Sequence, residues 1–389
     1  MFTLKLVSRS RRARSRLGAL LTIALLLGCL VIAPPARGAP TGRPHVRVLA
    51  PGVALTTYID RRVPVRAYVL WIDPAQGASL GMALAHDRLG ELERTSDMAK
   101  DHGALVAVNG DLGSTISGRP VHPFALDGDL VQTSPVLGAM FAMSRDGSLR
   151  IGRPTEQQLS ITEVDSGETW PIASWNHGGP TAGELTAHTA VGAAIEAPRA
   201  FTCSARLLPA GPSTSTDIGS TRTYSIDQSG CFSSRLSPGD GVVVSAMPTT
   251  DEATFIRSLT AGESVRIDWS LGWAGVTDAI GGSTVLMQDG HIVLGSCTGA
   301  ICSRNPRTSI GLTADGRIVL VVVDGRQSSS VGMSLPELAN FFQRLGVESA
   351  MNLDGGGSSA MVIRGQVVNH PSDGFERSVT NALLVHANG

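Results

Sequence analysis

Aromatic side chains are scarce in this chain of 389 residues, at 4% of positions, whereas glycine occurs 45 times. Few aromatics, abundant glycine and many short β-like runs together point to a loop-rich, β-dominated fold. No internal repeat of fixed period is visible, which sets repeat architectures aside. Positive charge is also thin outside the N-terminus. Residues 1–16 carry Lys5, Arg9, Arg11, Arg12, Arg14 and Arg16 without an acid, Leu17 to Ala33 is almost wholly apolar, and small residues follow at Ala36 and Gly38. Basic, apolar and small-residue regions in that order predict a secretory signal peptide cut after Gly38. The apolar run is at the short limit for a membrane span, so no stable span is expected after processing.

Removal of residues 1–38 takes away seven positive charges and no acid, which shifts the net charge from −1 to −8. An acidic chain of this kind disfavours broad electrostatic binding to nucleic acid or anionic lipid. Cysteine is sparse too: Cys203, Cys231, Cys297 and Cys302 follow the leader. An even number in an exported protein suggests disulfides, and of the three possible pairings Cys203–Cys231 with Cys297–Cys302 is the most local. Neither pair has the C-x-x-C spacing of a zinc site, and no regularly spaced histidine pair lies nearby. Neither a metal nor a cofactor is expected.

Residues 39–99 read as an N-terminal β-rich segment and 100–388 as the main domain, with a variable, loop-rich region at about 155–235 in which residues 209–221 form an exposed loop. Ala104 to Val108 is a buried strand ending at Asn109-Gly110-Asp111, where an Asx-turn is the bland reading. Asp127-Gly128, Asp146-Gly147, Asp289-Gly290 and Asp315-Gly316 sit between apolar runs and read as hairpin turns. Thr95 or Ser96 is placed to cap a short helix, and Ala253 to Leu259 reads as another.

The last ninety residues are the most legible. Ile318 to Val323 is too short and too β-branched for a comfortable helix and ends at Asp324-Gly325-Arg326. A helix follows: Ser334 and Glu337 have capping-box spacing, Pro336 suits the first turn and Gly346 suits the stop. Ser349 to Leu353 then returns the chain to Asp354. Strand, helix and strand therefore join Asp324 to Asp354. The expected class is α+β: a β-rich mixed sheet with a few packed helices and a C-terminal βαβ-like crossover that carries the site. If the two strands are parallel, both carboxylates emerge at one edge as neighbours.

Three glycines after Asp354 (Gly355, Gly356, Gly357) allow backbone N–H groups to turn towards a bound group. No Lys-Ser/Thr follows and no helix begins there, so this is not a nucleotide loop. Asp324 and Asp354 with Arg307, Arg326, Asn352 and Ser358, joined by Asn109 and Asp111, suit an anionic, carbohydrate-like or phosphate-containing ligand. His177 is a lone loop histidine, a type that more often serves structure than substrate.

At these residues the sequence resembles the phosphodiester glycosidase family. The resemblance rests on Arg307-Thr308-Ser309-Ile310-Gly311, Val323-Asp324-Gly325-Arg326, Asn352 through Ser359, and Arg377 through Ala382, in that order, with weaker blocks at Ile280-Gly281-Gly282 and Asn109-Gly110. It covers roughly residues 100–388 and is strongest from 304. One departure is Asp111-Leu112-Gly113, where family members continue with another glycine and aromatics. The resemblance implies hydrolysis of a sugar-1-phosphodiester, of the N-acetylglucosamine-1-phosphate kind, to free sugar and phosphomonoester. It implies Asp354 as base or nucleophile with Asp324 as partner. Arg307, Arg326, Arg377, Gly355 and Gly356 would hold the phosphate, and Asn352, Ser358 and Asn109 would orient the ligand. The expected substrate is a carbohydrate phosphodiester such as a cell-wall or capsule glycopolymer, met outside the cytoplasm. Metal-assisted P–O cleavage and non-catalytic glycan binding are the competing readings of the same residues.

Overall fold

The computed structural model describes residues 45–192, 201–210 and 220–387, so the leader lies outside it. Three α-helices and several sheets make up these residues: α1 (Thr95–Asp101), α2 (Asp251–Ser258) and α3 (Leu335–Arg344). The class is β-rich with few helices, but the expected single mixed sheet is replaced by several sheets and a closed barrel.

The largest sheet has eight strands, ordered His45–Ala50, Val53–Asp60, Val65–Ile72, Ile318–Val323, Arg307–Thr313, Val347–Asn352, Thr284–Gln288 and His291–Ile292, and every neighbour is antiparallel. Continuous apolar runs explain its middle. Ile318 to Val323 is buried at every position because one face meets the main core (Leu320, Val322) and the other meets α3 (Val319, Val321). The Ser334 hydroxyl accepts from Glu337 N while the Glu337 carboxylate accepts from Ser334 N, the reciprocal cap its spacing predicts. Gly346 takes φ 74° and ends the element. Leu335, Leu338, Ala339, Phe341 and Phe342 then bury one helix face against the sheet.

A five-stranded sheet, Gln366–Val367, Met361–Ile363, Val106–Asn109, Asn381–Ala387 and Ala78–Leu84, brings the Asn109 strand beside the C-terminal strands. Pairings of Val65–Ile72 with Ile318–Val323 and of Ala78–Leu84 with Asn381–Ala387 knit the first strands to the last ones. α1 packs below this sheet through Met98 and Ala99. Its start is not capped by Thr95 or Ser96 as expected; Ser96 N and Oγ both donate to the Glu376 carboxylate, at 2.8 and 2.6 Å. A second five-stranded sheet contains the Asp127-Gly128 and Asp146-Gly147 hairpins, and all four Asp-Gly pairs lie between paired antiparallel strands.

The stretch expected to be loop-rich is mostly strand. Gln158–Glu163, Thr169–Trp175, Leu185–Thr189, Val242–Ala246, Thr202–Pro209, Ser220–Phe232 and Ser264–Ser270 close into a barrel around Ile161, Leu185, Ala205, Leu207, Ile226 and Val244. Its strands are joined by pairings distant in sequence, which local composition does not reveal. Cys203–Cys231 bridges two of them across an antiparallel pair, and Cys297–Cys302 closes a short loop elsewhere. The expected 209–221 loop falls largely outside the described residues. Among those described, no helix is long and apolar enough to cross a membrane.

Candidate active site

Strands Ile318–Val323 and Val347–Asn352 are both antiparallel to Arg307–Thr313, which lies between them, so they run the same way with α3 between them in sequence. Asp324 and Asp354 therefore leave one edge of the sheet, but not as neighbours. Two inter-strand spacings separate the strand ends, about 10 Å. Pro306 occupies the gap: its carbonyl accepts from Gly356 N at 3.0 Å, and Gly325 packs against its nitrogen.

Beyond Asn352 the chain is pinned by backbone bonds. Leu353 N donates to Thr308 O and Asp354 N to Gly110 O, each at 2.9 Å, before a 3-10 turn at Gly356–Ser358. One buried amide ties both ends of the loop. Asn109 Nδ2 donates to Asp354 O at 3.0 Å, while its Oδ1 accepts from Ala360 N at 3.1 Å and Thr308 Oγ1 at 2.7 Å. Asn109 thus forms no Asx-turn. Gly356 needs its φ of 63°, and a Cβ at Gly357 would collide with the Arg377 guanidinium and the Asp373 carboxylate.

Asp354 is half-buried and accepts from Gly355 N at 2.8 Å. Burial pushes its carboxyl above the usual range, and the charge of Asp111 adds to this; Ser358, Gly355 N and Arg377 act in the opposite direction. Arg377 Nη1 lies 3.5 Å from Ser358 Oγ, and its Nε and Nη2 bind Asp373 Oδ2 at 3.1 and 2.6 Å. Across the loop, the exposed Arg326 donates through Nε and Nη2 to Asn305 Oδ1 and reaches over Gly356.

The remaining candidates have other surroundings. Asp324 is 2% exposed; its Oδ1 accepts from His370 N at 2.8 Å and from Asn369 Nδ2 at 3.3 Å, and burial pushes its carboxyl up. Arg66, Tyr68 and His370 surround it. Arg307 is buried, with Nε on Met333 O at 2.9 Å and Nη2 on Ile301 O and Ser303 O at 2.6 Å each. Burial, and then the charge of Arg326, lower its pKa to about 10. Asn352 Oδ1 accepts from Ser309 Oγ, and its Nδ2 donates to Ser283 Oγ and Leu353 O. The geometry therefore brings Asp354, Gly355, Gly356, Ser358, Arg326 and Arg377 together around the loop, and leaves Asp324, Arg307, Asn352 and Asn109 as braces beside it. His177 lies elsewhere, in a cavity of about 240 Å³ with Ser134, Gln157 and Glu184.

Two groups escaped the sequence reading. Asp373 holds Arg377, and its place in the turn Pro371-Ser372-Asp373-Gly374 gave only a turn signal. His122 binds Asp111 and had no local signal. Among the described residues no cluster of three or more His, Cys, Asp or Glu is arranged to hold a metal.

Residues 217–386 match the phosphodiester glycosidase family. The matched region holds Arg307, Asp324, Arg326, Asn352, Asp354, Ser358 and Arg377, whereas Asn109, Asp111 and His122 precede it. Over 82 residues the chain is 39% identical to the SPbeta prophage-derived uncharacterized protein YomE of Bacillus subtilis, and over 87 residues 36% identical to N-acetylglucosamine-1-phosphodiester alpha-N-acetylglucosaminidase of Mus musculus. Each stretch is 21% of this chain but only 13% and 17% of those proteins. A solved structure of a hypothetical protein from Synechocystis shares the fold, with a TM-score of 0.69 at 18% identity over 89% of this chain and 64% of that one.

Proposed function

We propose that this phosphodiester glycosidase is an exported hydrolase that cleaves the glycosidic bond of a sugar-1-phosphodiester, releasing free sugar and a phosphomonoester. The strand–helix–strand passage from Asp324 to Asp354 carries the site. One observation supports this above the rest: the Asp354 carboxylate opens a glycine loop on which Arg326 packs against Gly356 and Arg377 packs against Gly357 and reaches the Ser358 hydroxyl. A carboxylate, two guanidinium groups and a turn of backbone N–H groups thereby share one short loop, the groups that the reaction asks for.

Asp354 activates the attacking water or stabilises the oxocarbenium-like anomeric carbon. Arg326 and Arg377 hold the phosphate and favour its departing charge. Asn109, Asn352 and Arg307 keep the loop in shape, and Asp324 anchors the Asn369–His370 turn beside it. The two disulfides suit an extracytoplasmic setting, where an envelope glycopolymer with sugar-phosphate linkages would be available.

Incubation of the mature protein with a panel of sugar-1-phosphodiesters, including N-acetylglucosamine-1-phosphate diesters, tests the reading. Free sugar plus phosphomonoester is the expected outcome. Sugar phosphate as product would mean P–O cleavage, and binding without turnover would mean a glycan-binding protein; either outcome removes the glycosidase reading.

A further inference from the structure

Asp111 stands where the resemblance to the family breaks, and it is next to the residue whose carbonyl accepts from Asp354 N. Its carboxylate is 1% exposed and is bound twice by one residue: His122 Nδ1 lies 2.7 Å from Oδ1, and His122 N donates to Oδ2 at 3.0 Å. Asp111 N in turn donates to Asn381 Oδ1 at 2.8 Å, and Gln132 Nε2 donates to His122 O at 2.8 Å. Both residues are therefore fixed from either side. Because an ionised carboxylate only accepts, it holds the proton on Nδ1 and leaves Nε2 as the free nitrogen.

The backbone around the ring is shaped for it. A Cβ at Gly281 or at Gly138 would run into the imidazole, so these glycines make the space that His122 fills. The residue is only 4% exposed, yet among the described residues Nε2 makes no hydrogen bond and is not one of the unpartnered side-chain atoms sealed from solvent. A pair that merely braced the sheet would be expected to satisfy both ring nitrogens or bury the second one. Here one nitrogen is oriented by Asp111, whose charge acts on Asp354, and the other lies against Gly138 without being sealed from solvent.

We propose that His122, held by Asp111, is a further catalytic residue of this site, the general acid for the departing phosphate. The proposal rests on the glycosidase reading above. In the step, the glycosidic C1–O bond breaks and the bonding pair stays on the bridging phosphate oxygen, which takes the proton from Nε2 of protonated His122. Water oxygen bonds to C1 and its proton passes to Asp354. The two groups then exchange that proton through solvent, so that the sum is one water consumed, one free sugar and one phosphomonoester formed. A phosphate needs less protonation than an alkoxide, so the expected contribution is at the low end for acid catalysis, about 10²-fold.

The experiment compares wild type, His122→Gln, Asp111→Asn and Asp354→Asn on the sugar-1-phosphodiester that is turned over and on the 1-fluoride of the same sugar, whose fluoride leaves without a proton. His122→Gln and Asp111→Asn should lose about 10²-fold in kcat on the phosphodiester and keep the fluoride activity, while Asp354→Asn loses both. Retained fluoride activity also demonstrates a folded site. Equal losses on both substrates, or no loss on either, would assign the pair to structure and overturn the proposal with the glycosidase reading intact. A wild type inactive on every phosphodiester would remove that reading, and this proposal with it.

Discussion

Asp354 is a carboxylate under opposing demands. In the proposed role of base or nucleophile it acts ionised, yet burial and the nearby charge of Asp111 both favour its protonated form. Its folded-state pKa is thus raised above the usual carboxylate range. The folded protein holds the proton more tightly than the unfolded chain, so this stabilisation is complete below the unfolded pKa and is lost as pH rises through the folded one. At neutral pH the ionised side chain opposes folding. Asp354→Asn should therefore raise Tm at pH 7, with the gain vanishing in acid below the unfolded pKa, while turnover falls about 10³-fold. Melts across pH alongside kcat measurements check both halves; a variant that is destabilised at pH 7 and active would contradict them. The wild-type acid limb of kcat/KM should lie above the usual carboxylate range, since activity fails as pH falls through the raised pKa.

At the scale of elements, the glycine loop and its braces act together. Gly357 has no room for a methyl group because the Arg377–Asp373 pair closes over it. Gly357→Ala should part that pair, raise KM more than it lowers kcat, and destabilise by about 1–3 kcal/mol through overpacking. Steady-state kinetics and a denaturant titration separate the two effects, and an unchanged KM would free Arg377 from phosphate binding. The loop and the α3 cap were legible in the sequence because their signals are local: a Ser334–Glu337 spacing and a run of three glycines. That Arg307 turns to three carbonyls was not legible, because its partners Ile301, Ser303 and Met333 come from two separate loops.

For the whole molecule, the two disulfides divide stability from function. Cys203–Cys231 encloses a separation of 28 residues within the barrel, and Cys297–Cys302 one of 5 beside Arg307. Loop-closure entropy alone assigns them about 3.5 and about 2 kcal/mol. Cys203→Ser should lower Tm more and leave kcat/KM near wild type. Cys297→Ser should lower Tm less but reduce kcat/KM, since the Ile301 and Ser303 carbonyls that hold Arg307 flank that bridge. Melting and kinetics on both variants check the division, and the reverse ranking in kcat/KM would refute it.

The amino-acid order by itself determined the strands around Asp324 and Asp354, the helix between them and the Asp-Gly hairpins, because these depend on neighbours a few residues apart. Only the tertiary structure decided that the Arg307 strand separates the two carboxylates and that the middle of the chain closes into a barrel. It also seated His122 on Asp111, whose charge acts on Asp354. Each of these depends on which distant strands pair, and strand pairing is set by burial of whole faces, a property that no local stretch contains.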